Sequence, residues 1–234
     1  MRNQKFSVVL AVAAALGLAS CQEFFTTSLG KWAERDASVP SNLTQAQALS
    51  IAQTALESCD TDLAAALLPQ LEAMATTGSA SDEVVEAAVD TAILSTGVSE
   101  AFGDALASLG SDLLSISSVT DLSAEQEASL VSILESVTVS QSAFDMLNYV
   151  DGMSASDLED AGVTAADCAM AAAALYIAAV EAESGTVTVE ELLNGTASWS
   201  AASVDYRDLA ASLLSTASGL SGGTDIYSLI DGLM

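Results

Sequence analysis

The chain has 234 residues, 32 of them acidic and only five basic, with no histidine, for a formal charge of −27. Such a balance excludes nucleic acid as a partner, because phosphate binding needs clustered Lys and Arg. Half of the residues are apolar, which excludes global disorder, and the absence of histidine removes both the usual zinc site and histidine acid–base catalysis.

The N-terminus divides into three parts. Met1-Arg2-Asn3-Gln4-Lys5 is short and positive, Phe6–Leu18 is apolar apart from Ser7, and Leu18-Ala19-Ser20 are small or aliphatic residues directly before Cys21. A charged start, an apolar run of this length and a small-residue cleavage site predict a signal peptide over 1–20. The run is too short for a spanning helix, which needs about 20 residues. Leu-Ala-Ser-Cys resembles a bacterial lipobox, which implies cleavage before Cys21 and lipidation of its thiol. Two or more acyl chains, at ~0.8 kcal/mol per buried methylene, hold a protein on a membrane where one does not. The expected address is thus the bacterial cell envelope, at the periplasmic side or the cell surface. The anchor is lipid on Cys21, and the chain does not span.

Residues 21–42 read as a lipidated tether, closed by the turn-prone run Ala37-Ser38-Val39-Pro40-Ser41-Asn42. Within it, Phe24-Phe25-Thr26-Thr27-Ser28-Leu29-Gly30 and then Ala33-Glu34-Arg35-Asp36 resemble the start of a group of spirochaete lipoproteins. Those chains carry FF-[ST]-[ST]-S-x-G…A-x-R-D after the lipid cysteine, followed by a small helical domain. Leu29 stands where that pattern often has Trp, and Trp32 comes later. The likeness covers about sixteen residues and implies an address and an architecture, with no catalytic residue. Phe24, Phe25 and Trp32 suit either the headgroup boundary or, the reading preferred here, packing back on the body.

Removing 1–20, with its Arg2 and Lys5, takes the charge to −29, and beyond residue 35 the only cation is Arg207. Such acidity is either a solvated shell, the favoured reading, or a surface for a cationic partner. From 43 onward helix signals recur. Thr44-Gln45-Ala46-Gln47 is a capping box opening a helix with Leu49, Ala52 and Leu56 on one face. A second helix is predicted from about Asp62 to Ala75, bent or split at Pro69. Ser81 is expected to cap a third over Asp82–Ser95, stopping before Gly97.

Shorter elements are expected over Ser99–Leu109 and around Asp112–Ile116. A capping box at Ser123-Ala124-Glu125-Gln126 opens a helix to about Val137. Gln141–Val150 and Ser156–Ala161 follow. Thr164 then caps Ala165–Ser184, whose interior Cys168–Val180 is apolar on every side and so belongs at the centre of the others. Asp167, Glu181 and Glu183 at its ends argue against a membrane span. Thr188-Val189-Glu190-Glu191 is a further capping box, and Val204–Ser218 and Asp225–Leu233 complete the chain. No strand pair and no regular repeat is found. The expected fold is all-α: a single orthogonal multi-helix bundle over 43–234 around an apolar central helix at about 165–184.

Two cysteines remain after Cys21. Cys59 and Cys168 either pair, as two thiols outside the cytoplasm can, or stay as unpaired cysteines in an alanine-rich core. Gly219-Leu220-Ser221-Gly222-Gly223 matches G-x-S-x-G, but that motif needs a strand-to-helix elbow and a histidine base, so it reads as a helix linker. Asp82, Glu86 and Asp90 fall at i, i+4 and i+8, a stripe that a divalent cation could bridge but that reads as a solvated face. Asn148–Glu159 fails the EF-hand spacing, with Val150 and Gly152 at ligand positions. No metal, cofactor or catalytic residue is expected, and the chain reads as no enzyme. Two functions survive: a lipid-anchored interaction module for another envelope or secreted protein, or a ligand-binding, transport-accessory lipoprotein with a pocket beside the central helix.

Overall fold

The computed structural model describes residues 39–78, 80–109, 135–183 and 199–221. Eight α-helices lie in them: α1 Gln45–Ser58, α2 Thr61–Ala75, α3 Asp82–Ser95, α4 Val98–Leu109, α5 Gln141–Asp151, α6 Ala155–Asp160, α7 Ala165–Ala182 and α8 Val204–Gly219. A 3₁₀ turn, Ala201–Ser203, leads into α8, and the described residues contain no strand. The fold is an all-α bundle. The helices expected around Asp112–Ile116 and over 123–134, 188–194 and Asp225–Leu233 lie outside the described residues. Glu135 and Ser136 already form a turn, so the helix read as reaching Val137 is over by then.

Five helix starts, those of α1, α2, α5, α6 and α7, are closed by a side-chain hydrogen bond, whereas Ser81, expected to cap α3, makes none there. At α1 the Thr44 hydroxyl accepts from the Gln47 amide at 3.4 Å, and the Gln47 side chain accepts from the Thr44 amide at 3.0 Å. α1 buries Ala48, Ala52 and Ala55, with Leu49 and Leu56 half-buried beside them. The buried stripe is thus offset from the expected Leu49–Ala52–Leu56 face, because methyl side chains let the neighbouring backbones come closer than leucines would.

α1 ends with Cys59 in the left-handed region, at φ 51°, while the Asp60 amide bonds back to the Ala55 carbonyl at 2.9 Å. Asp60 then caps α2, accepting from the Leu63 amide at 2.9 Å, so only two residues separate the helices. α2 runs unbroken through Pro69. The carbonyl of Ala65, which Pro69 cannot serve, lies among exposed residues where water can satisfy it, so the expected split does not occur. Gln70 of α2 ties down the incoming chain: its amide group donates to the Pro40 carbonyl at 2.7 Å, and its side-chain oxygen accepts from the Leu43 amide at 3.3 Å.

Two helices share the centre. α7 starts at a capping box between Thr164 and Asp167 and buries eleven of its residues, Leu175 and Ala174 completely. It packs on α8, α3, α4 and the 3₁₀ turn. α3 buries Val84, Val85, Ala88, Val89 and Thr91–Leu94, and touches α1, α2, α4, α5 and α7. α8 runs antiparallel to α7. Its entry is bonded to the end of α7 through Ser203 and Glu183, and the second residue after its exit is bonded to α6, just before α7 begins, through Ser221 and Glu159.

α5 closes the bundle with Ala143, Met146, Leu147 and Val150, spaced i, i+3, i+4, i+7, and Phe144 meets Tyr206 of α8 edge to face at 5.3 Å. Fully burying a leucine stabilises by about 1.5–3 kcal/mol, so fully buried leucines such as Leu67, Leu71, Leu147, Leu175 and Leu213 are among the heaviest single contributors. α7 is the one helix among the described residues long and apolar enough to cross a membrane, and 56% of it is buried inside the bundle.

Candidate functional site

Cys21, with Phe24, Phe25 and Trp32, lies outside the described residues. What is described is where the chain enters the helical body: Val39 and Leu43 pack against the core, and the Gln70 bonds hold residues 40 and 43 on α2.

The two remaining cysteines are not paired with each other. Cys168 is a free thiol on the buried face of α7, and burial, followed by the carboxylates of Asp167 and Asp151, pushes it up to about 12. Cys59 is exposed at the end of α1. The sequence allowed a Cys59–Cys168 disulfide. In the structure one thiol lies in the core and the other at the surface, and Cys168 packs as a small apolar core residue.

The carboxylate stripe of α3 is not uniform. Asp82 and Glu86 are exposed and Asp90 is half-buried, so the stripe runs from solvent into the seam with α7. Glu86 lies over Gly162, between α6 and α7, so closely that a Cβ there would sit 2.9 Å from its carboxylate. Gly162 also has φ +82° and completes the turn that ends α6, with the Val163 amide bonded to the Leu158 carbonyl at 2.9 Å. Asp167 comes from the other side, its carboxylate accepting from the Thr164 amide at 2.8 Å and hydroxyl at 2.6 Å. Burial first, then Asp167 and Glu86, raise Asp90 to about 7. Among the described residues, no group of three or more Asp, Glu or Cys side chains is arranged to hold a metal ion.

Ser221 of the G-x-S-x-G match follows the end of α8, and Gly219 is the last residue of that helix. Both its amide and its hydroxyl donate to Glu159 Oε1, at 2.9 and 2.7 Å, and these bonds lower the carboxyl of Glu159. A carboxylate stabilised in this way is a poorer base, and the turn follows a helix where an elbow would follow a strand. Ser221 fastens the end of α8 to α6.

One cluster was not visible in the sequence. Arg207, the only cation beyond residue 35, stands 4.6 Å over the Trp199 ring, and Trp199 leans on Tyr176 of α7 at 5.7 Å. Beside it, buried Glu183 accepts from the Ser203 hydroxyl and the Ser200 amide. Together these contacts fasten the chain entering α8 to the end of α7. The only sequence signal was the solitary arginine, which does not reveal its partner eight residues back or the tyrosine on another helix. No family model, curated protein or solved structure matches this chain.

Proposed function

We propose that this chain is a bacterial envelope lipoprotein, held on a membrane by acyl chains at Cys21 and presenting an acidic helical body to another envelope or secreted protein. The observation that carries the reading is the order cationic start, apolar run, Leu18-Ala19-Ser20-Cys21. In support of it, the body begins close behind that cysteine: residues 40 and 43 are already bonded to α2, so the intervening chain spans at most ~60 Å when extended. The surface also bears on how a partner is recognised. Among the described large apolar side chains only Val204 is exposed, so recognition through these faces is polar. With 30 carboxylates against Arg207 beyond residue 35, the body is repelled by anionic headgroups and stands off the bilayer on its tether.

The test is metabolic labelling with a fatty-acid analogue in a bacterium that matures lipoproteins. The wild-type chain takes up label and sediments with membranes, and Cys21→Ala does neither. Label persisting on Cys21→Ala contradicts the anchor.

A further inference from the structure

We propose that the seam between α3 and α7 is a pH-responsive joint, which tightens the bundle when half-buried Asp90, set among the carboxylates that meet there, takes up a proton. The geometry puts acids on both sides of a packed interface, with no cation among the described residues between them. From α3 come Glu86 and, one turn deeper, half-buried Asp90, flanked along the helix by buried Val89 and Thr91. From α7 comes Asp167, fixed by the Thr164 cap, and Glu86 is pressed against Gly162 just ahead of that cap. The one cation among the described residues, Arg207, is held over Trp199, beside Tyr176 in the second half of α7.

Among the described residues, the charges that raise Asp90 are Asp167 from α7 and Glu86 from its own helix. Asp151 of α5 acts instead on Cys168, whose thiol stays neutral through this pH range. Relief for Asp90 therefore comes most readily from a proton, and its carboxyl is raised from 3.8 to about 7.

The direction follows from linkage. Above about pH 7, Asp90 is ionised in both the folded and the unfolded chain, and the folded state bears the full repulsion and burial cost. Between about 7 and 4 the folded chain holds a proton that the unfolded chain has released, so stability rises as pH falls. Below about 4 both states are protonated and nothing more is gained.

Thermal unfolding of the full chain at about pH 5.5 and about pH 8, at constant physiological salt, tests the joint. The wild-type Tm is expected to drop by on the order of 5 °C between the two. Asp90→Asn, which keeps the shape and removes the charge, should melt above wild type at the higher pH and lose at least about half of that drop. Glu181, at the far end of α7, is also raised by burial and by Glu135, so some drop remains. Glu86→Gln, on an exposed side chain that does not threaten folding, should remove a smaller part. An equal drop in wild type and both variants would assign the effect to the acidic surface as a whole and overturn the joint. Asp90→Asn melting below wild type at about pH 8 would overturn it as well.

Discussion

α7 and α3 share the centre of the bundle but carry different loads. α7 is built from Ala169, Ala171, Ala172, Ala174, Ala178 and Ala179 around Met170, Leu175 and Ile177, all buried, and its charges are confined to its ends. α3 touches more neighbours, yet it carries Asp82, Glu86 and Asp90 down one side and buries the last of them partway. In a chain with a single cation beyond residue 35, a central helix that meets neighbours on several sides either has no charge in its interior or accepts unpaired carboxylates in a seam. α7 takes the first course and α3 the second. The contrast teaches that the acidity is not only a coat. It reaches into the seam of α3 with α7 through half-buried Asp90, with Glu86 at the mouth against Gly162.

The largest expected effect breaks the neutral side of the comparison. Ala174 is fully buried, whereas neighbouring Ala173 is half-buried, so Ala174→Asp places a charge where no partner exists. An unpaired buried charge costs several kcal/mol, against a typical net stability of about 5–15 kcal/mol. The helical far-UV signal should be lost or its melting temperature should collapse. Near-wild-type melting would place α7 at the periphery.

A smaller effect sharpens the charged side. Gly162→Ala forces a Cβ residue into the left-handed region, at about 1–2 kcal/mol, and also drives it into the Glu86 carboxylate. Gly78 has a similar φ of +69° with nothing within 4 Å, so Gly78→Ala carries the backbone cost alone. Urea unfolding should find Gly162→Ala the more costly of the two. Equal losses would mean that Glu86 moves aside freely.

The smallest effect separates the two helix starts. The Thr164 hydroxyl accepts from the Asp167 amide at 3.3 Å, so Thr164→Ala should cost about 1 kcal/mol. Ser81 makes no such bond at the start of α3 and instead accepts from the Gln45 side chain at 3.2 Å, so Ser81→Ala should cost only a few tenths of a kcal/mol in the same urea series. A full capping loss at Ser81 would contradict this geometry.

What was legible in the sequence is what local chemistry decides. The capping box at Thr44 and the cap at Thr164 form as read, Gly97 ends α3 at φ +72°, and the alanine run of α7 is buried because no polar side chain interrupts it. Harder to read was whatever depends on a neighbour distant in the chain. The i, i+4, i+8 spacing of Asp82, Glu86 and Asp90 is the same in solvent and in a seam, and only the approach of α7 decides which. α1 turns its alanines inward because close helix contact rewards the smaller side chain, a choice that periodicity alone leaves open between adjacent stripes. Cys59 adopting a left-handed turn, and Trp199 being covered by Arg207, likewise belong to the folded chain.

Amide hydrogen exchange of the intact protein tests most directly whether α3 and α7 form one centre. Amides of Ala171–Ala179 and of Ala88–Ala92 should exchange only through global unfolding, later than those of α6 and of the first turn of α1. Exchange in α7 as fast as in six-residue α6 would contradict the account, because it would mean that the neutral helix is not part of the structure the rest is built on.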